Sequence, residues 1–206
     1  MTKLDVFNHA LAHMEVSQML VSTESTGTAA RVLNAMWENA NRAVLVSHPW
    51  RGAAKRNVLS SALPTPDFEF SYSFPIPEEL LRIISIGSNW RTDGLDYVLE
   101  GKRLLTNASA VYLRYVFAPS SPVEIQDYIN IVIGHYLAMI AAPAITSARV
   151  TRRDLQIGYN QALAIAKAAD AGNRQRSRKL TNRVLDAQYG YSTSFPNVSP
   201  DEVEFS

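Results

Sequence analysis

"FEFSYSFPIPEELLRI", residues 68 to 83, decides how this chain is read. Phe68, Phe70, Tyr72 and Phe74 alternate with Glu69, Ser71 and Ser73, the period-two pattern of a strand with one aromatic and one polar face. Pro75 and Pro77 close the run, because proline cannot donate to a ladder, and they stop it before it templates pairing with another chain. Glu78-Glu79 then starts a short acidic turn. The sequence on either side is helical in pattern, so a sheet sits inside a chain of helices.

Working toward the N-terminus, residues 4 to 21 predict a helix, with Leu4, Phe7, Leu11, Met14 and Val21 at helical spacing. "STESTGT" is a loop. From Thr28 a longer helix carries Leu33, Met36, Trp37, Ala40, Ala43 and Val44 on one stripe. It ends near "SHPW", since the residue before Pro49 is pushed out of helical geometry. "ALPTPD" marks the change of regime.

Toward the C-terminus, "LRIISIG" is a second apolar run stopped by Gly87. "DYVLEGKRLLT" predicts a hairpin turning around Glu100-Gly101-Lys102, flanked by Val98 and Leu104. "AVYLRYVF" puts Val111, Leu113, Tyr115 and Phe117 on one side and Tyr112 and Arg114 on the other. These make a small antiparallel sheet of about four or five strands. Ser121, Pro122 and Glu124 form a capping box. The helix after it carries Ile125, Ile129, Val132, Ile133, Tyr136, Leu137 and Ile140 until Pro143 ends or kinks it. Thr151 and Asp154 resemble a second box, before Leu155, Tyr159, Ala162, Leu163, Ala166 and Ala169, with a stop at Gly172-Asn173. The fold class is α+β: an antiparallel helical bundle from residues 1–63 and 119–175, a small antiparallel β insertion over 64–118, and a basic segment with an extended C-terminal arm over 176–206.

The bulk numbers suit a soluble globular protein: 206 residues, 47% apolar and 19% charged, with net charge +1. The charge is unevenly placed. Residues 149 to 183 hold Arg149, Arg152, Arg153, Lys167, Arg174, Arg176, Arg178, Lys179 and Arg183 against Asp154 and Asp170, while the acidic end carries Asp201, Glu202 and Glu204. That asymmetry suggests an interaction tail or contacts between copies. No cysteine is present, which removes disulfides, thiolate metal sites and cysteine nucleophiles. The N-terminus is not a secretory signal. Ile129 to Ile145, the most apolar stretch, is interrupted by Gly134, His135 and Pro143, short of the ~20 apolar residues of a membrane span. The expectation is a soluble protein made in a cytoplasm.

Candidate chemistry is sparse. Asp5, His9 and His13 stand at i, i+4 and i+8, and two histidines at i, i+4 can share a metal. Without HExxH or a nearby fourth ligand, a polar stripe at a surface or subunit contact is the favoured reading. His135 reads as a satisfied buried or interfacial histidine. Glu69, Glu78, Glu79, Asp93 and Asp96 supply carboxylates for a hydrolase, but no spacing selects a pair. There is no GxSxG elbow and no glycine-rich phosphate loop. "HPWRGAAKR", with Trp50 beside Arg51, Lys55 and Arg56, and the cluster from Arg174 to Arg183 are the nucleic-acid candidates. The competing and favoured reading packs Trp50 over the bundle end.

In order, these motifs resemble the head-to-tail adaptors of short-tailed bacteriophages, the tail tubular protein A family, from the first helix to about Gln175. The marks are "HPWRGAAKRNVLSSALP", "FSYSFPIPEELLRIISIG", the "YVLEGKRLLTN" hairpin, "VYLRYVFAPSSP" and the two helices of "YINIVIGHYLAMIAAPAITSARVTRRDLQIGYNQALAIAKAAD". One departure is Gly52, where the family often has an aromatic. The resemblance implies a virion protein without enzymatic activity or cofactor: a homo-oligomeric ring, commonly of twelve subunits, below the portal protein. It implies that the ring extends the DNA channel without sequence-specific binding, docks the next tail component and involves no membrane. The arm after Gln188, about eighteen residues, spans up to ~60 Å if extended. Tyr189, Tyr191, Phe195 and Phe205 are its expected anchors on the portal, with Arg176, Arg178 and Lys179 beside them. The arm is expected to order on assembly. The two other readings are a nucleic-acid-binding helical module and a hydrolase using carboxylates of the insertion.

Overall fold

The computed structural model describes residues 1–60, 63–89, 94–146 and 152–173. The basic segment from Arg174 and the C-terminal arm, with Arg176, Arg178, Lys179, Tyr189, Tyr191, Phe195 and Phe205, lie outside the described residues, as do Asp93 and Thr151.

Helices α1 (Lys3–His13) and α2 (Thr28–Ser47) come first, then strands β1 (Ala54–Leu59), β2 (Tyr72–Pro75), β3 (Leu80–Gly87), β4 (Tyr97–Glu100), β5 (Arg103–Thr106) and β6 (Val111–Phe117). A 3-10 turn, Pro122–Glu124, leads to α3 (Asp127–Ile145) and α4 (Arg152–Gly172). This is an α+β fold. Helix α3 is central and packs against α1, α2 and α4. By length and composition α3 could cross a membrane, yet half of that window is buried against the protein. Its high apolar content is that of a helix covered on several sides.

The first helix ends eight residues before the expected limit at 21. Thr2 and Asp5 cap its start reciprocally. At the other end Glu15 takes φ 56°, and the Val16 and Glu15 amides donate to Leu11 and Ala12 carbonyls, closing a Schellman motif with glutamate in the left-handed position. Beyond it the chain is held by Asn8, which bonds both backbone groups of Leu20, leaving Val21 92% exposed. In α2 the expected stripe holds at Leu33, Trp37, Ala40 and Val44, but Ala43 is exposed and Leu45 takes its place.

The β region is larger than the sequence predicts and forms two sheets. One has the order β1-β6-β3, the other β2-β5-β4, both antiparallel. Strand β1 lies within residues read as part of the helical bundle. Lys55, Arg56, Asn57 and Val58 are all exposed there, so the strand shows no alternation. It is an edge strand, where charge is favoured because it discourages further pairing. Strand β6, central in its sheet, keeps the expected alternation, with Val116 buried as well.

The opening stretch is shorter as a strand than its pattern suggests. Glu69 takes φ 71° and the Phe70 amide donates to the Phe68 carbonyl, a tight turn that leaves Phe68 80% exposed. Phe70 and Phe74 are buried, but so is Ser73, so the polar face does not simply meet solvent. Pro75 does not stop the ladder: it pairs with Arg103, and the Ile76 amide still donates to the Lys102 carbonyl. Proline is tolerated because β2 is an edge strand. The Glu100-Gly101-Lys102 hairpin is as expected, with Gly101 at φ 58° supplying the turn.

Ser121 and Glu124 do form a capping box, but on the 3-10 turn. Ile125 is extended, and α3 starts afresh after Gln126. Pro143 lies inside the last turn of α3. On α4 the buried face is Leu155, Ala162, Ala166 and Asp170, whereas Ala169 is exposed. One apolar core runs from the helices through Trp50 and Ala53 into Tyr115 and Phe117 of β6.

Candidate functional site

Two polar clusters are built into the helices. The first surrounds Asp170, whose carboxylate is 2% exposed. It accepts hydrogen bonds from the Arg51 amide (2.9 Å), the Gly52 amide (3.1 Å) and the Tyr128 hydroxyl (2.7 Å). Burial and the carboxylate together push the Tyr128 phenol up to about 12. His48 Nε2 stands 3.7 Å from Asp170, but burial outweighs the carboxylate and lowers the imidazole's pKa. Gly52 permits this geometry: a Cβ there would collide with the Tyr128 hydroxyl and stand 2.7 Å from Gln126 Cγ. Tyr128 and Gln126 fill the space where an aromatic two residues after Trp50 would stand.

Trp50 is fully buried, with its indole N–H donating to the Val44 carbonyl at the end of α2. It packs over the bundle end and has no free face for a base. Its basic neighbours do gather: Arg56 stands directly across the ladder from Arg114. Burial first, then the charges of Arg56 and Arg51, lower the Arg114 pKa.

The second cluster joins residues the sequence had kept apart. His9 and His13 of α1 meet His135 of α3, with ring centroids 4.5 Å (His9–His13), 5.2 Å (His9–His135) and 3.8 Å (His13–His135) apart. All three are half-buried. Burial lowers each pKa, that of His135 to about 4, and the neighbouring imidazoles lower those of His9 and His135 further. Asp5 is not part of the group. Its carboxylate caps α1, and the hydrogen bonds from Thr2 lower its pKa.

The carboxylates considered for hydrolysis are dispersed in their roles. Glu69, Glu78 and Asp96 are exposed. Glu79 accepts the Tyr115 hydroxyl at 2.9 Å and faces Lys55 at 3.9 Å. Lys55 also lies 4.0 Å above the Phe117 ring.

Sequence reasoning missed Asp170 as an organising residue and His135 as a partner of the N-terminal histidines. Asp170 was findable. It follows Leu155, Ala162 and Ala166 at helical spacing, so the period puts a carboxylate on the buried face. His135 was not, because its partners are more than a hundred residues away. Scanned against protein-family models and curated protein sequences, the chain matches none.

Proposed function

We propose that this chain is a structural virion protein, the head-to-tail adaptor of a short-tailed bacteriophage, forming a ring below the portal. The ring, with the twelve subunits common in that family, extends the DNA channel and docks the next tail component. No catalytic role or cofactor belongs to this reading. Portal contacts are assigned to Arg176, Arg178, Lys179, Tyr189, Tyr191, Phe195 and Phe205.

Two things support it: the ordered motifs of the sequence, and the exposed isoleucines of α3 and α4. Ile165 is 70% exposed, with Ile157 and Ile131 also open to solvent. Ile131 and Ile165 border a cleft lined by Tyr128, His135, Gly158 and Ala162. Exposed apolar side chains gathered at a cleft, as Ile131 and Ile165 are, suit a surface that a partner covers. A closing ring needs such a face on each subunit, complementary to a different face of the next.

The test is negative-stain imaging and light scattering of the purified protein, alone and mixed with candidate portal rings. A ring stacked on the portal supports the reading; a monomer that ignores the portal rings defeats it. The basic neighbourhood of Arg51, Arg56 and Arg114 favours nucleic-acid binding as a second reading. A gel shift at low salt, weakening steeply as salt rises, would support that one.

A further inference from the structure

Helix α1 supplies two histidines one turn apart, and α3 brings a third to the same point. The candidate ligand nitrogens of His9, His13 and His135 all lie within 4.8 Å of one another. Tetrahedral zinc, with bonds of ~2.0–2.1 Å, holds such nitrogens ~3.3 Å apart. Closing that difference takes modest rotations about χ2, a torsion with broad wells in histidine.

Two glycines let the neighbouring helices pack closely around the cluster. A Cβ on Gly134 would stand 2.8 Å from His9 Nδ1, so α3 approaches the His9 ring as bare backbone. Gly158 likewise brings α4 against His135, with an added Cβ 3.5 Å from its Nδ1. His9 Nδ1 is shut off from solvent and has no hydrogen-bond partner among the described residues. A buried polar atom in that state is costly unless an ion or water completes the cluster. Burial lowers the pKa of each ring, which favours the neutral form in which imidazole donates to a metal.

The geometry points to a binding site for one divalent transition ion of the zinc class, held by His9, His13 and His135, with a remaining position for water or a group from another chain. An all-imidazole set suits zinc, cobalt, nickel or copper, whereas magnesium and calcium call for oxygen ligands. The bound ion would clamp α1 onto α3. The inference is independent of the adaptor reading, since a monomer and a ring subunit carry the same three side chains.

Tag-free full-length protein, stripped with chelator and dialysed, is titrated with Co²⁺ alone and then with Zn²⁺. The expected result is one Co²⁺ per chain with the visible absorption of a low-coordinate site, bleached when Zn²⁺ displaces it. His9→Gln and His135→Gln each weaken binding at least ~100-fold, beyond the usual effect of an outer-shell change. His48→Gln, outside the cluster, leaves binding unchanged. The proposal is overturned if the wild-type protein takes up no Co²⁺ at micromolar concentrations, a result that does not depend on any variant folding. It is equally overturned if a His135→Gln variant with native helix content binds as tightly as wild type.

Discussion

The Tyr128 hydroxyl donates to the Asp170 carboxylate at 2.7 Å, joining the first turn of α3 to the last turn of α4. The same carboxylate takes two backbone amides from the segment that leaves α2 for the sheet. One buried side chain therefore fixes where two helices and the β region meet. Asp170→Ala strands those donors and is expected to cost about 3 kcal/mol, as loss of a buried charged acceptor does. Tyr128→Phe removes one bond to that charged group and should cost about 1.5–2 kcal/mol. Urea unfolding of the two variants measures both, and equal losses would contradict the ordering.

Gly52 tests the same junction from the opposite side. Gly52→Ala places a methyl group against Tyr128 and Gln126 and is expected to lose about 1–3 kcal/mol through overpacking. Because the shortest contact is with the phenolic oxygen, Tyr128→Phe in the same chain should recover part of that loss. A double-mutant cycle reads the coupling; strict additivity would mean the clash is relieved elsewhere.

Glu15 ends α1 in the left-handed conformation that glycine adopts without steric cost. Glu15→Gly is expected to raise stability by about 1 kcal/mol, provided the Schellman bonds to Leu11 and Ala12 persist. Thermal unfolding of the variant provides the measurement. A lower midpoint would show that the Glu15 side chain contributes more than its backbone costs.

The three clustered imidazoles predict a defined acid sensitivity for the chelated protein. The His135 pKa falls from 6.5 to about 4 on folding, so between those values the unfolded chain binds the proton and the folded chain does not. Stability is then complete above about pH 6.5 and declines as pH falls toward 4, with His9 and His13 acting in the same direction. Urea midpoints at pH 7, 5.5 and 4.5 should drop more for wild type than for His135→Gln. Parallel curves would remove His135 from the acid response.

For the assembly reading, deleting residues 189–206 is expected to abolish portal attachment while leaving helix content intact. Circular dichroism and co-sedimentation with portal rings are the two readouts. Normal attachment of the truncated chain would move the portal contacts elsewhere.

Elements whose signals are local were legible in the chain alone. Thr28 to "SHPW" gave α2 because period and proline agree, the Glu100-Gly101-Lys102 turn gave its hairpin, and β6 alternated because a central strand with one buried face must. What it misjudged depended on neighbours. β1 is a strand only because β6 pairs with it, and its exposed lysine and arginine carry no period. Phe68 continues an aromatic alternation that Glu69 breaks by turning the backbone. The candidate sites divide in the same way. Asp170 was legible in the helical period, but its partners Arg51, Gly52 and Tyr128 were not. His9 and His13 were legible as a pair one turn apart, while His135 joined them only when α1 packed on α3. Periodicity records which side of an element is covered; tertiary packing alone decides what covers it, and so which polar groups share one desolvated point.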